Sequence, residues 1–355
     1  RDRLRSRGLG DVYKRQNYSC YFGATNNNYT EFDKLDKNRV CGIKLFMGSS
    51  TGNMLVDKMN SLLNIFNGTD LLIAAHCENH ETIKKNTEKY VKEYIEKYPH
   101  QYYHVHHETL PMGYHAKIRS IAACYESSEL AVRLARIADA RLHILHISTA
   151  RELSLFDNDI PLEEKRITAE ACVSHLLFDS SDYPELGARI KCNPSIKTKT
   201  NRDALRQAVN SNLIDVIATD HAPHLLKEKE GGPLKAMSGM PMIQFSLVSM
   251  LELVNEGIFT IEKVVEKMCH APAQIYNIHN RGFIRPGYQA DLVLVRPDTL
   301  WTVSADQILS KCGWSPLEGR TFEWKVEKTF ANGHLLYTDG QVDETYRGQE
   351  IYFER

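Results

Sequence analysis

The chain has 355 residues, with 44 Lys and Arg against 45 Asp and Glu, a formal net charge of −1, and 42% hydrophobic residues. That length can bury a large core, as one big domain or as a large and a small one. The balanced charge excludes a general nucleic-acid binder, which carries a basic excess. No run approaches the about 18 apolar residues of a membrane span. Eight cysteines are scattered without a C-x-x-C pair, several inside apolar segments. This suits reduced thiols in a cytosol better than a disulfide framework.

Residues 1–16 carry Arg1, Arg3, Arg5, Arg7 and Arg15 with little apolar content. They contain no apolar core for a secretory signal and, with Asp2 and Asp11, are poorly suited to a transit peptide. They read as a foreign or mis-joined leader. The native N-terminus is expected to be absent, because NYSCYFGATNNN (17–28) opens on a strand end and a polar loop. From there apolar runs alternate with helical spacing. Strands are predicted over 41–47, 71–76, 141–148, 166–172 and 213–221. Helices are predicted over 56–67, 81–98 (closed by Pro99), 127–140, 201–212, 241–257 and 261–277. Apolar strands alternating with helices imply a parallel sheet buried on both faces, either a barrel or a doubly wound sheet. No G-x-G-x-x-G follows a strand, so a dinucleotide site has no fingerprint. Beyond residue 281 the composition changes to short strands and turns, Asn332-Gly333 and Asp339-Gly340 among them. The predicted organisation is a leader (1–16), an α/β unit (17–280) and a small all-β portion (281–355).

In a parallel α/β barrel the active site lies at the C-terminal ends of the strands. Lys44 lies in the first of these strands, His76 ends the next, His146 ends the third, and Asp220 ends the last, followed by His221 and His224. Each has an ordinary reading when taken singly. A strand-end histidine is more often a hydrogen-bonded structural residue, a lone lysine snorkels or pairs, and an aspartate caps the following helix. Four such residues at strand ends are harder to explain by packing. Imidazole and carboxylate together suit zinc or a similar divalent metal.

GIKLFMGSSTGNML (42–55), AAHCEN (74–79), HILHIST (143–149), KCNPSIK (191–197) and ATDHAPH (218–224) resemble motifs of the cyclic amidohydrolases, most closely those of the dihydroorotase branch. The resemblance runs from about residue 17 to the C-terminus. It implies a (β/α)8 barrel of the TIM type with a small β-sandwich built from both chain ends, of which 281–355 would be the C-terminal part. It implies a Lys44 carboxylated by CO2 and bridging two divalent metal ions, zinc in expectation, with His76 and His146 on one ion. Asp220 would bind the other and act as general acid and base on the ring amide. Asn193 and His224 would contact substrate, and Gly239, in the SGMP loop (238–241), would line the ring pocket. The implied substrate pair is dihydroorotate and N-carbamoyl-L-aspartate, in a cytoplasmic homo-oligomer with no nucleic-acid or membrane partner.

One departure stands against this pattern. The family carries an H-x-H pair and a nearby arginine on its first barrel strand, well before the lysine strand, and none precedes Lys44 here. The only H-x-H is His104-Val105-His106, after Pro99, where a loop or surface role is expected for His104, His106 and His107. The barrel is therefore expected to lack its first strands, with impaired folding or low metal occupancy. Two other readings follow. One is a dihydropyrimidinase, hydantoinase or allantoinase using the same site. The other is a catalytically impaired homologue or fragment acting as an oligomer partner. Arg119, His175, Cys77 and Cys192 are expected to be structural.

Overall fold

The computed structural model describes residues 16–48, 54–99, 110–338 and 340–355. Six strands pair in parallel and in chain order: β1 (Cys20–Gly23), β2 (Val40–Phe46), β3 (Ile73–His76), β4 (Leu142–Ile144), β5 (Ile167–Cys172) and β6 (Val216–Ala218). Among the described residues β1 and β6 form the two edges of this arc. The outer faces of the strands are apolar: Ile43, Leu45, Ile73, Ala75, Leu142, Ile144, Ala169 and Ala171 pack in one core. Side chains alternate along a strand, so the opposite set points into the arc. The register aligns Lys44 with Ala74, Ala74 with His143, and His143 with Thr168. Leu72, Val216, Ala271 and Ile275 form a second apolar cluster, with Tyr276 packed on it, and the Tyr21 and Tyr276 hydroxyls meet at 2.5 Å.

The longer helices between strands are α1 (Met59–Asn67), α2 (His80–Lys97), α3 (Ile121–Ala138), α4 (Lys199–Asn210) and α5 (Ser246–Asn255). Two of these, and one later helical segment, depart most from the sequence reading, each for a local reason. Helix α3 begins six residues before the predicted Ser127, because the Ser120 side chain caps it by accepting from the Ala123 N–H at 3.3 Å. Helix α5 begins five residues after the predicted Pro241, because that stretch binds the loop after β6: the Ala222 N–H donates to the Met240 carbonyl (3.1 Å) and the Ile243 N–H to His221 Nδ1 (3.2 Å). The predicted helix over 261–277 is α-helical at Ile261–Val265 and Ala271–Ile275, with a π-turn over Glu266–His270. Pro272 has no N–H to donate into the preceding turn, and a widened turn accommodates it.

After residue 281 a four-stranded antiparallel sheet has the order β12–β11–β10–β7, built from β7 (Leu292–Arg296), β10 (Lys325–Ala331), β11 (His334–Thr338) and β12 (Gln341–Val342). Strands β8 (Trp301–Thr302) and β9 (Thr321–Phe322) form a separate pair. Val303, Trp314, Leu317 and Phe322 join the same core as the parallel strands. The last residues return beside β1 and β2: the Ile351 N–H donates to the Tyr18 carbonyl (2.8 Å), the Phe353 N–H to Asn38 (2.9 Å), and Arg39 pairs with Glu350 at 2.7 Å. All eight cysteines are free thiols, five of them buried. No helix among the described residues is long and apolar enough to cross a membrane.

Ser120 also accepts from Asn86 Nδ2 at 3.1 Å, so the cap ties α2 to α3. Ser120→Ala is expected to lower stability by about 1 kcal/mol in urea unfolding. An unchanged midpoint would show that packing alone sets the start of α3.

Candidate metal centre and active site

The parallel arrangement brings the C-terminal ends of β2, β3, β4 and β6 to one rim. Lys44 lies within β2 and His76 is the last residue of β3. His146 and Asp220 each stand two residues beyond their strands. Both of these last two are left-handed, at φ 42° and 43°. That conformation costs a non-glycine residue about 1–2 kcal/mol, and here it turns each side chain at the point where the strand stops. The four residues selected from the sequence are therefore placed on one rim.

His76 and His146, 5% and 4% exposed, face each other edge to face, with His76 Nδ1 3.0 Å from His146 Nε2. Two nitrogens bound to one tetrahedral zinc at about 2.0–2.1 Å would stand about 3.3 Å apart, so this spacing fits a shared ion. Burial, with the charges of His76 and Lys44 behind it, holds His146 well below the ordinary histidine value, leaving the neutral ring a metal requires. His76 Nε2 lies 3.2 Å from Glu78 Oε2, and Glu78 is itself fully buried and paired with Arg119. Glu78 stands behind His76 without hydrogen-bonding its Nε2, while His76 Nδ1 and His146 Nε2 share a hydrogen bond. His76 Nε2, His146 Nδ1 and Glu78 Oε1 have no hydrogen-bond partner.

The remaining donors are fewer. The Lys44 ammonium stands 4.7 Å from the centre of the Phe46 ring, and burial lowers its pKa while Asp220 and Glu170 oppose that. Asp220 opens on solvent at the rim yet stands deep among protein atoms. That depth raises its carboxyl, with Lys44 opposing and Glu170 adding to the rise. Among the described residues, no three His, Cys, Asp or Glu side chains gather closely enough to hold a metal by themselves. His76 and His146 alone are spaced as two donors to one ion would be; a second ion would have Lys44 and Asp220 as its candidate donors. His104, His106 and His107, like residues 49–53 of the lysine-strand motif and 1–15 of the leader, lie outside the described residues.

Several residues that sequence reasoning missed, or set aside as structural, support this rim. Glu170 accepts from the His146 backbone N–H (3.3 Å) and lies 3.2 Å from His143 Nε2, whose other nitrogen meets Thr168 Oγ1 at 2.8 Å. Arg119 reaches His76 through Glu78. Glu78 could have been found as the acid two residues after a strand-end histidine. Arg119 gave no such signal, because it lies 41 residues further on. His175 Nε2 meets the Pro194 carbonyl at 3.0 Å, and its Nδ1 is buried without a hydrogen-bond partner.

The substrate candidates share a neighbouring wall. Asn193 Oδ1 is buried without a partner. His224 Nε2 donates to the Ser238 carbonyl at 3.1 Å. Gly239, at φ 134°, lies so close to Ala222 that a Cβ would stand 2.6 Å from the Ala222 carbonyl oxygen. His221 accepts from the Ile243 N–H and is held near 4 by burial, so it serves as a neutral structural acceptor. A cleft of about 640 Å³ between the four-stranded sheet and residues 241–248 touches His221 but none of the four rim residues. It is a separate feature.

The model of the Amidohydrolase family matches residues 47–336, and the chain belongs to that family. A dihydroorotase from Pyrococcus furiosus is 31% identical over 343 residues, covering 96% of this chain and 70% of that protein. An allantoinase from Bacillus velezensis is 30% identical over 227 residues, covering 64% of this chain and 50% of that protein. Among solved structures, the L-hydantoinase (dihydropyrimidinase) of Arthrobacter aurescens superposes with a TM-score of 0.85 at 24% identity, covering 97% of this chain and 76% of that one. At that identity the likeness speaks to the fold, an amidohydrolase α/β barrel.

Glu78 provides a measurable handle. Desolvation would raise its carboxyl, but the Arg119 charge and His76 outweigh it and hold it down to about 2, against an ordinary 4.5. The folded value lies below the unfolded one. The ionised group therefore stabilises the fold above the unfolded value, and that stability is lost as the pH falls toward the folded one. Glu78→Gln is expected to flatten this acid limb of the stability profile and to weaken zinc binding by about 10- to 100-fold. A variant unchanged in both calorimetric titration and acid unfolding would contradict the role given to Glu78.

Proposed function

We propose that the chain is a metal-dependent cyclic amidohydrolase of the dihydroorotase kind, interconverting N-carbamoyl-L-aspartate and dihydroorotate. The observation that carries this is the approach of His76 Nδ1 to His146 Nε2 at 3.0 Å, on the rim that also holds Lys44 and Asp220. In this reading His76, His146, Asp220 and a Lys44 carboxylated by CO2 would hold the divalent metal, zinc in expectation. Bound metals supply a lowered water pKa and a polarised amide carbonyl.

The chain's own residues do the rest. The lowered pKa of Lys44 enlarges its neutral fraction, and only the neutral amine forms the N–C bond to CO2, releasing a proton. The resulting carbamate, a buried anion, would need the bound cations as its partners. Asp220 takes the proton from the attacking water and gives it to the ring nitrogen as the amide bond breaks. In the closing direction it moves the proton the other way. A carboxyl raised above its ordinary value suits both tasks. Asn193 Oδ1, lacking a protein partner, is free for a substrate N–H, while His224 and Gly239 line the ring. The eight free thiols agree with a reducing cytoplasm, and we assign the protein to that compartment, as a homo-oligomer.

A second reading, hydrolysis of a neutral cyclic amide, is favoured by the allantoinase relative. Assays of carbamoyl-aspartate cyclisation beside hydantoin and allantoin hydrolysis separate the two. Zinc-dependent turnover of dihydroorotate is expected, and activity on hydantoins alone would overturn the first reading. Lys44→Ala should abolish turnover, with partial return on adding short carboxylic acids that replace the carbamate.

The donor set also predicts that the purified chain keeps no more than one tightly bound zinc, and that His104→Ala with His106→Ala leaves this content unchanged. Two tightly held ions per chain, or loss of metal in that double variant, would contradict it.

A further inference from the structure

Lys229 has no part in the chemistry above, yet it is 5% exposed and sits behind the wall that carries all three substrate candidates. Its Nζ donates to three backbone carbonyls: Gly239 at 2.6 Å, Met237 at 2.7 Å and Lys191 at 3.1 Å. Burial pushes the Lys229 amine down to about 7, while the three carbonyls match the three N–H donors of its ammonium form, a neutral amine having two. Two of these carbonyls belong to the 237–239 loop. The third belongs to the turn two residues before Asn193, and the Gly239 N–H donates to that same Lys191 carbonyl at 2.8 Å. The loop next to Lys229 also holds His224, through the Ser238 carbonyl. From the far side, Trp314 Nε1 donates to the His224 carbonyl at 2.7 Å, and its ring lies 5.8 Å from the Lys229 ammonium. One buried amine thus joins the segments bearing Asn193, His224 and Gly239.

We infer that Lys229 is a positioning residue for substrate binding: its ammonium locks the 237–239 loop onto the 191–193 turn, so that Asn193, His224 and Gly239 present one fixed surface to the substrate ring. The inference rests on the proposed cyclic-amide site but not on which cyclic amide is used. Because Lys229 touches none of the metal candidates, its loss should weaken substrate binding while leaving the metal in place. A residue that merely stabilised the fold would lower the unfolding temperature without singling out affinity.

The test compares the unaltered chain with Lys229→Met, which keeps the length and removes all three donors, and Lys229→Gln, which keeps two neutral N–H donors. Each is loaded with zinc. Three readouts are taken: zinc per chain, KM against kcat, and the calorimetric Kd for dihydroorotate, hydantoin and allantoin. On whichever of these the unaltered chain binds, K229M should raise KM and Kd by about tenfold or more, with kcat within about threefold and zinc content unchanged. K229Q should fall between K229M and the unaltered chain. An unchanged KM in a folded variant, or a loss confined to kcat or to zinc, would overturn the inference. If K229M is not recovered folded, K229Q decides by the same criteria. Binding of hydantoin or allantoin but not dihydroorotate by the unaltered chain would instead count against the dihydroorotase reading, and the Lys229 comparison would still be made on that ligand.

Discussion

Everything at the rim depends on strand register. Side chains alternate with a period of two along a strand, so the pairing of Lys44 with Ala74 and of Phe46 with His76 decides what faces the interior. A slip of one residue would send Ile43, Leu45 and Ile73 into the polar interior and turn Lys44 against the helices. The apolar outer set, packed in a single core, resists that slip. The hydrophobic effect, which knows nothing of catalysis, thereby fixes the direction in which Lys44 points. Parallel pairing in chain order then brings the ends of the strands to one side, where loops can shape a site without disturbing the core.

Concentrating ionisable groups there is costly unless they are paired. The pairings are layered. Glu78 is held between Arg119 and His76, and Glu170 between His143 and the His146 backbone. Burial holds His146 well below the ordinary histidine value, and His76 Nε2 and His146 Nδ1 are left without hydrogen-bond partners. Backbone strain adds to the arrangement: His146 and Asp220 both adopt left-handed conformations where their strands end. Strain of that kind persists only where the surroundings over-determine it, and Glu170 supplies one such restraint by accepting the His146 N–H.

Much of this could be read from the sequence. The strands at 41–47, 71–76 and 166–172 reappear within two residues of their predicted ends, because buried parallel strands are short apolar runs bounded by turn residues. That Lys44 lies inside its apolar run and that His76, His146 and Asp220 stand at or just past the ends of theirs could be seen in the sequence. The partners of those residues could not. Arg119 meets Glu78 across 41 residues, and His115 meets the Cys192 carbonyl across 77. No local period encodes such contacts. Local propensity was also overridden: Pro241–Phe245 has helical spacing but pairs with the loop after β6, and Pro272 forces a π-turn into a segment that reads as one continuous helix. The Lys229 clamp was invisible for the same reason, since its acceptors are backbone carbonyls that any residue could supply.

The central claim is that His76, His146 and Lys44 form a metal site at the barrel rim. Anomalous diffraction at the zinc edge, from crystals of the full chain grown with zinc and bicarbonate, tests it most directly. The account predicts an anomalous peak between His76 Nδ1 and His146 Nε2, with density for a carboxylate extending from Lys44 Nζ toward it. Zinc bound elsewhere, with His76 and His146 still in contact and an unmodified Lys44, would contradict it.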